Sequence, residues 1–583
     1  MKNKSYLVKR GKVAAGFLAV ALLGFACKDT FLEVSPAGSI SEAQLSSKKG
    51  IEGSLIAAYS MLSGSGTRMV HPWNWVWGSV RGGDANKGTD PGDFSDINPI
   101  QTYTYQSTQG VINDNYRGLY EIIARANNVL RLLKVAASDV TAADKTRIEA
   151  EAKFLRAHAY FSLARNYNKT PYVDETQDLT VVKNDKDLWP LIVADMNFAY
   201  TNLPETQGAA GRANKWAAAA YLGKIKLYQK DYAGAKTLFD ACIASGVTAN
   251  GKKYALLDKF GDLYKASNDN NSESIFAVQA ASNTGSVNNA NSDGDLNWPY
   301  NTGPNGPGNC CGFFQPSFEL VNSYRTANGL PLLDGSYNTG ANQVKTDMGI
   351  TSEASFTPDA GELDPRLDWT VGRRGIMFLD WQDHPGAAWI RNQPNGGPYS
   401  PKKYSYYKSD KGSLQDNSSW TPGYTALNYT VIRYADLLLM AAECEIEVGS
   451  LAKAQEYVNK IRTRAANSAG FVKSSSGANA ANYKIATYDA AWTDKAAARS
   501  AVRFERKLEL AMEGHRFFDL VRWGTDVTEI NNYLDYESSA GHLPNTLPKK
   551  GAYQAKHALL PLPQSEIDLV NKKETILTQN PGY

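Results

Sequence analysis

The sequence predicts a mostly α-helical protein, in which a scaffold of helix pairs is interrupted by long irregular loops. Three observations predict this fold class. Apolar residues recur with helical spacing in the first third, two helix pairs have small residues at their contacts, and a Gly-, Asn-, Ser- and Pro-rich stretch separates these pairs. With 583 residues the chain is long enough for a large core, and we expect one globular unit.

The N-terminus has the pattern of a secretory signal peptide. Residues 2–12 carry five positive charges and no acidic residue, and the uncharged stretch 13–26 that follows is too short to span a bilayer. We therefore predict that residues 1–26 are removed and that Cys27 becomes a lipidated N-terminus, because two or more acyl chains anchor stably. Bulky Phe25 makes the cleavage motif weak, so an ordinary signal peptide with a chance cysteine is the alternative.

Composition argues against two classes of protein. The formal net charge of +3 includes five positive charges of the predicted signal peptide, so the remaining chain carries −2 and gives no argument for nucleic-acid binding. No later segment is long and apolar enough to cross a membrane. The chain is rich in aromatic residues, with 32 Tyr, 19 Phe and 12 Trp, which suits a binding surface for polar ligands with flat apolar faces.

The helical region covers residues 27–250. Residues 147–167 form its clearest helix, with apolar residues on one stripe at Ile148, Ala152, Leu155, Ala159, Leu163 and Tyr167. A helix pair follows at 216–229 and 232–245, and Gly246 suits a C-terminal cap. Leu222-Gly223, Tyr232, Ala235 and Phe239 fall near the tetratricopeptide spacing for a helix pair with small residues at its contact.

The C-terminal region covers residues 251–583. Its segment 434–465 repeats the same helix-pair pattern, and a pair of this kind cannot bury its apolar face alone. The two pairs should therefore belong to one scaffold, interrupted by a large insertion from about 250 to 430. That insertion has one strand-like alternation, at 272–280, and an adjacent Cys310–Cys311 pair that is either a disulfide or two free thiols.

Several segments, in order, resemble the SusD/RagB family of outer-membrane lipoproteins of the Bacteroidetes. CKDTFLEVSP (27–36) resembles the mature start of that family, and EAKFLRAHAYFSLARNYNKTPYV (151–173) its first signature helix. LDPRLDWT (363–370) resembles its central motif, and FERKLELAMEGHRFFDLVRWG (504–524) is the most specific match. The resemblance covers nearly the whole chain.

The resemblance implies four tetratricopeptide-like helix pairs that support a looped, ligand-binding face. It also implies a lipid anchor in the outer membrane, exposure to the cell exterior, and a position as a lid on a SusC-like TonB-dependent transporter. Such lids capture glycans for import. Capture of peptides or glycopeptides by the same lid is one alternative, and a lipidated endo-acting glycoside hydrolase is another.

Segment 504–524 contains acidic, basic and His side chains, yet we interpret it as a structural brace. Helical spacing places Glu509, Glu513 and Arg516 near one face, where they could pair with Arg506 and with each other. A His-Glu-x-x-His metal motif and a Gly-x-Ser-x-Gly elbow are both absent from the sequence. We therefore expect no enzymatic activity, and we expect His515 to have a structural role.

Ligand contacts are expected from aromatic residues in loops. Trp298 and Tyr300 lie in a loop with few apolar neighbours, so we predict that Trp298 is exposed and stacks on a sugar ring. Trp73, Trp75 and Trp77 alternate, so extended backbone would place them on one face, directed either to the core or to the ligand. The predicted ligand-binding residues are Trp75, Trp77, Arg81, Asp84, Asn297, Trp298 and Tyr300.

The same region offers one candidate cation site. Residues 84–96, DANKGTDPGDFSD, have alternating oxygen ligands that could hold calcium, although the terminal acidic position of an EF-hand loop is missing. We expect no other cofactor.

Overall fold

The computed structural model of the chain describes residues 42–64, 68–177, 182–286, 289–290, 296–308, 310–417, 424–572 and 576–583. The predicted signal peptide and Cys27 lie outside these residues, so both stay predictions. In the part of the chain that is described, no helix is both long and apolar enough to cross a membrane.

Helices are concentrated at the two ends of the chain. Their bounds are α1 Glu42–Leu45, α2 Lys48–Ser60, α3 Asn98–Thr102, α4 Gly110–Lys134, α5 Ala142–Tyr167, α6 Trp189–Asn202, α7 Lys215–Tyr228, α8 Tyr232–Ser245, α9 Phe318–Ser323, α10 Leu367–Thr370, α11 Gln393–Gly396, α12 Tyr434–Val448, α13 Leu451–Ala465, α14 Lys495–Glu509, α15 Arg516–Trp523, α16 Asp526–Glu537 and α17 Gln564–Val570. The long helices α4 to α8 and α12 to α14 form the scaffold.

In this scaffold each long helix packs on the next. Contacts run from α4 to α5, α6, α7 and α8 in turn, and α8 then packs on α12. Helix α12 pairs with α13, and α14 packs against both. The two predicted helix pairs are therefore neighbours in space, which confirms the prediction of a mostly α, paired-helix scaffold interrupted by an insertion.

Helix α5 begins five residues before the predicted start. Thr141 caps it, because its hydroxyl accepts from Asp144 N at 3.1 Å while the Asp144 carboxylate accepts from Thr141 N at 3.4 Å. All six residues of the predicted apolar stripe are buried. The stripe therefore predicts the buried face correctly, and the cap sets the start of the helix.

Close contacts in and beside the α7–α8 pair require glycine at positions 223 and 246. A Cβ on Gly223 would lie 2.5 Å from the Phe239 ring, so a larger residue would force the two helices apart. Gly246 ends α8 with extended backbone, at φ −60°, and not in the left-handed conformation that a glycine cap usually adopts. Its need for glycine comes instead from the Tyr254 ring, which would lie 2.3 Å from a Cβ at this position.

The short strands of the described residues lie mostly in the insertion, which otherwise consists of long irregular segments, and the strand at 85–88 precedes the scaffold helices. The strands are β1 Ala85–Gly88, β2 Ser274–Val278, β3 Phe313–Pro316, β4 Thr326–Ala327, β5 Leu330–Pro331, β6 Val371–Gly372, β7 Met377–Phe378, β8 Gln382–Asp383, β9 Ser400–Pro401 and β10 Tyr429–Arg433. They form five antiparallel pairs, β1–β3, β2–β10, β4–β5, β6–β9 and β7–β8. The predicted strand at 272–280 is β2, in the register Ser274 opposite Arg433 and Val278 opposite Tyr429.

Segment 504–524 is two helices, so the prediction of one continuous helix is wrong. Helix α14 ends at Glu509 and α15 begins at Arg516. In the turn between them, Gly514 has a φ of 74°, and a Cβ there would lie 1.8 Å from Trp73 O. The close approach of the Trp73 backbone therefore requires a left-handed glycine and interrupts the helix.

Candidate ligand-binding face

The carboxylates of α14 and the following turn bind a set of buried cations. Glu509 accepts from Arg366 at 2.9 Å, from Arg433 at 2.6 Å and from Arg464. Glu513 accepts from Arg433 at 2.8 Å and from Lys403 at 2.7 Å. We call this set the buried charge network: Glu273, Arg366, Lys403, Arg433, Arg462, Arg464, Glu505, Glu509 and Glu513.

The network is a brace, as the sequence predicted, but its partners differ from the predicted ones. Although burial acts to raise it, Arg433 and Lys403 hold the pKa of Glu513 at about 2. Arg506 pairs with Asp436 at 2.8 Å and with Asp519 at 3.0 Å, and not with Glu509 or Glu513. The predicted pairing within one helix is wrong because the helix is broken and the partners come from distant segments.

The three alternating tryptophans at 73, 75 and 77 all face the core. Trp75 and Trp77 belong to a π-helical turn, Trp75–Val80, and not to an extended segment. Trp77 Nε1 donates to Met69 O at 2.9 Å, and Trp73 Nε1 donates to Met512 O at 2.9 Å. Trp75 packs edge-on against Phe313 and Phe314. As predicted ligand contacts, Trp75 and Trp77 are wrong, because both are buried.

Arg81 and Asp84 are also buried inside the protein. The Arg81 guanidinium donates to Tyr105 Oη at 3.1 Å and lies 3.9 Å from the Phe517 ring centroid. Asp84 accepts from Ser79 Oγ and from Met512 N, each at 3.2 Å, and burial raises its pKa to about 6. Asp84 holds the 71–84 loop against the turn after α14, and Arg81 holds it against Tyr105 and α15, so neither residue is placed to touch a ligand.

Trp298 is 1% exposed, so the prediction that it is an exposed platform is wrong. Its ring packs edge-on against Tyr406, at 6.5 Å between centroids, and is tilted against Tyr424, at 6.4 Å. These apolar neighbours come from distant parts of the chain, which is why the local sequence suggested exposure. Asn297 is buried as well.

Tyr300 is the predicted contact that remains at the surface, where it is half-buried. The Arg391 guanidinium carbon lies 5.4 Å from its ring centroid. Arg391 contacts Asp90 Oδ2 and Asp93 Oδ2, each at 2.5 Å. The charged side chains are 31–34% exposed, so an aromatic ring and three charged groups share one accessible surface. We call these four residues the Tyr300 patch.

Three segments bring the Tyr300 patch together. Tyr300 N donates to Trp389 O at 2.8 Å, which ties the Tyr300 loop to the segment before Arg391. Thr89 N donates to Gly312 O at 2.6 Å, which ties the acidic loop to the end of the Tyr300 loop. The patch is therefore formed by segments near positions 90, 300 and 391. The β1–β3 pairing joins the chain just before the first segment to the chain after the second.

Buried aromatic residues lie close to the patch in sequence and structure. Phe378, Trp381, Trp389 and Tyr406 form one cluster. Tyr406 Oη accepts from Gly308 N at 2.9 Å, which fixes the loop that carries Tyr300. Cys310 and Cys311 in the same loop are joined by a disulfide, one of the two predicted alternatives.

The acidic residues of segment 84–96 are bound to protein groups, and only Asp90 and Asp93 share one. Asp84 is buried against Ser79, Asp90 and Asp93 bind Arg391, and Asp96 accepts from Gln109 Nε2 at 2.9 Å. Among the described residues, no group of three His, Cys, Asp or Glu side chains is placed to hold a metal ion. Calcium binding by this segment stays an untested prediction.

Arg391 was not predicted as a site residue, and no local signal identifies it. It lies 298 positions from Asp93 along the chain. Asp90 and Asp93 were considered only as calcium ligands. Their shared contact with one arginine depends on the meeting of two loops, which periodicity and spacing do not describe.

Two grooves lie away from the patch. The larger, about 810 Å³, lies between the 254–258 segment and the α12–α13 pair, where Tyr434, Leu438 and Lys460 line it. The other, about 550 Å³, is lined by Ile56, Tyr59 and Gln279 among others. Either groove is large enough for a small ligand, so each is a rival location that a binding experiment has to test.

The sequence profile of the SusD family matches residues 272–583, and a second profile, "Starch-binding associating with outer membrane", matches residues 85–227. The chain belongs to the SusD family. It is 25% identical over 578 residues to SusD-like protein P25 of Formosa agariphila, and the match covers 94% of each chain.

Solved structures of SusD-like proteins have the same fold. One, a laminarin binding SusD-like protein, is 23% identical with a TM-score of 0.64, over 92% of this chain and 100% of that one. Another is surface glycan-binding protein A from Bacteroides thetaiotaomicron in complex with laminarihexaose. It is 19% identical with a TM-score of 0.62, over 92% of this chain and 99% of that one.

Proposed function

We propose that this protein captures glycans at the outer surface of the cell and binds them over the Tyr300 patch. The observation that carries the proposal is a half-buried tyrosine ring beside Arg391, Asp90 and Asp93 on the fold of a glycan-binding family. The ring offers a flat apolar face to the C–H side of a sugar, while the charged groups can bind hydroxyls.

The test is calorimetry of the purified mature protein with laminarihexaose, a xyloglucan oligosaccharide and maltoheptaose. For whichever glycan binds, we expect Tyr300→Ala to weaken affinity about tenfold, or about 1–1.4 kcal/mol, because one face of the ring is removed from water in the complex. Tyr200→Ala is the matched control, since Tyr200 is a half-buried tyrosine on α6 of the scaffold.

Two results would reject this site. One is equal affinity in wild type and a folded Tyr300→Ala variant. The other is a loss of affinity on Lys460→Ala, which would place the ligand in the groove beside α13. Binding of none of the three glycans, together with tight binding of peptides, would favour the peptide-capture alternative.

The proposal includes a lipid anchor on Cys27. It is supported by the basic segment, the short apolar segment and the cysteine that follows them. We expect Cys27→Ser to abolish incorporation of a labelled fatty acid and to release the protein from the membrane fraction. Unchanged label and unchanged membrane association in the variant would reject the anchor.

The proposal also includes delivery of the glycan to a SusC-like TonB-dependent transporter. Family membership supports this partner. We expect a tagged copy, purified from detergent-solubilised outer membranes, to co-purify with the transporter in both wild type and Tyr300→Ala.

The hydrolase alternative is tested by incubating the protein with each glycan and measuring reducing ends. We expect no new reducing ends, and their appearance would favour the hydrolase.

A further inference from the structure

We propose that the Tyr300 patch selects uncharged sugars over carboxylated ones, and that Asp90 and Asp93 are the residues that set this preference. The inference rests on the proposed function, because it requires a glycan to bind over Tyr300. It adds the charge class of the ligand and the side chains that determine it.

The cations near the patch already have oxygen partners. Arg391 contacts both aspartates, and its Nη1 also donates to Thr89 Oγ1 at 2.9 Å. The Lys87 ammonium donates to Asp90 O at 2.8 Å and to Asp93 O at 2.6 Å. These contacts use three of the five N–H donors of Arg391. A sugar carboxylate could reach the remaining donors only beside the carboxylates of Asp90 and Asp93, which repel it, whereas a neutral sugar meets no such repulsion.

One carboxylate oxygen of the patch is left for a ligand. Asp90 Oδ1 accepts from Gly92 N and Asp93 N, each at 3.0 Å, and its Oδ2 binds Arg391. Asp93 Oδ2 binds Arg391 and accepts from Thr89 Oγ1 at 3.2 Å. Within the described residues, nothing donates to Asp93 Oδ1. An ionised aspartate is only an acceptor, so this oxygen suits a sugar hydroxyl and repels a sugar carboxylate.

The acidic loop is held in place, so the two aspartates are not free to turn away from an anionic ligand. Asn395 Nδ2 donates to Gly88 O and to Thr89 O, each at 3.1 Å. The Asp90 carboxylate accepts hydrogen bonds from Gly92 N and Asp93 N, which stabilises the turn that begins at Asp90. A fixed arrangement of this kind discriminates between ligands, because adapting to the wrong charge requires breaking several hydrogen bonds.

The experiment compares two forms of one glucan. The neutral probe is laminarin, or whichever neutral glucan binds best, and the anionic probe is the same glucan with its primary hydroxyls oxidised to carboxylates. For wild type we expect at least tenfold weaker binding of the oxidised form at low ionic strength. Asp90→Asn/Asp93→Asn leaves the charge of Arg391 uncompensated, and we expect the two affinities to come within threefold of each other.

The control is Asp240→Asn/Asp489→Asn, which makes the same change in net charge at scaffold positions away from the three loops. Asp240 pairs with Lys236 on α8, and Asp489 is exposed beyond α13. This control should keep the tenfold preference. Arg391→Gln, which leaves both carboxylates without their cation, should increase the preference.

Equal or tighter binding of the oxidised glucan by wild type would overturn the inference, and so would an equal shift in the control variant. Failure of the proposed function looks different, since then neither form of any glucan binds. The melting temperature of each variant is measured alongside, and the single substitution Asp93→Asn replaces the double variant if that protein does not fold. The single variant should lower the preference at least threefold.

Discussion

The buried charge network and the Tyr300 patch are both built from arginines bound by carboxylates, yet they differ in exposure. Side chains of the Arg433–Glu509 pair are 4% and 0% exposed, whereas those of the Arg391–Asp93 pair are 31% and 34% exposed. Water can reach the second pair and cannot reach the first. The same chemistry therefore locks the scaffold in one place and leaves polar groups available to a ligand in the other.

This difference predicts opposite effects of substitution. Removing one partner of a buried pair leaves an uncompensated charge in a low-dielectric interior, which costs roughly 3–5 kcal/mol. Removing one partner of an exposed pair costs about 0–1 kcal/mol, because water solvates the charge that remains.

Glu509→Ala should be the most destabilising change. Three buried guanidinium groups, of Arg366, Arg433 and Arg464, would lose a shared carboxylate, and we expect a loss of at least about 3–5 kcal/mol in the free energy of unfolding. Urea denaturation measures it. Glu456→Ala on α13, at an exposed pair with Lys453, is the control and should change stability by less than about 1 kcal/mol. A loss for Glu509→Ala as small as the control would refute the brace.

Trp298→Ala should also destabilise the protein, by about 3–5 kcal/mol, because a fully buried indole leaves a cavity beside Tyr406 and Tyr424. Thermal and urea unfolding measure the loss. Any weakening of glycan binding should follow the loss of folded protein. If the variant keeps its stability but no longer binds glycan, Trp298 contacts the ligand directly.

Stability should also depend on pH through Glu537. This side chain is fully buried, its Oε1 accepts from Glu319 N at 2.7 Å, and burial raises its pKa to about 8. Between pH 5 and pH 8 the folded protein holds a proton that the unfolded chain has released. Titration of Glu537 by itself therefore makes unfolding easier as the pH rises, by roughly 3 kcal/mol over this range. The buried His71, His158, His384 and His515, whose pKa values burial lowers to about 3, act in the opposite direction between pH 5 and pH 6.5.

Glu537→Gln should remove the contribution of Glu537, because a neutral amide does not titrate. The difference in the free energy of unfolding between wild type and variant should therefore change by roughly 3 kcal/mol from pH 5 to pH 8. Asp269, whose pKa is also raised by burial to about 8, should leave a residual slope. Glu513, with its pKa lowered to about 2, acts in the opposite direction and loses its contribution as the pH falls below about 4.5. The assignment is rejected if the free energy of unfolding changes by the same amount between pH 5 and pH 8 in wild type and in Glu537→Gln.

Arg391→Ala should have the smallest effect on stability, below about 1 kcal/mol, because its pairs with Asp90 and Asp93 are partly solvated. The same variant should weaken glycan binding. Denaturation and calorimetry on one preparation separate the two effects. A loss of stability comparable with that of Glu509→Ala would show that the patch is a second brace.

Sequence alone predicts α5 and the two helix pairs of the scaffold, but not the bounds of α4, α6 and α14. The apolar stripe of α5 and the small residues of the α7–α8 pair are local signals, and each predicts a buried face that the structure contains. The break at 510–515 was missed because Leu510, Ala511 and Met512 favour helix, and the cause is a contact with Trp73.

The candidate site was less predictable. Exposure of Trp298 was judged from neighbours in sequence, but Tyr406 and Tyr424 bury it from elsewhere in the chain. Arg391 and Asp93 meet only because three loops converge. Tyr300, in the same loop, is half-buried at the surface, although Trp298, two residues before it, is buried.

A crystal structure of the protein with a bound neutral oligosaccharide would show whether glycans bind over the Tyr300 patch. We expect a sugar ring against Tyr300, with a hydroxyl within hydrogen-bond distance of Asp93 Oδ1, while Glu509 and its arginines stay unchanged and inaccessible to water. A sugar in the groove beside α13, with Tyr300 still facing solvent, would contradict this expectation.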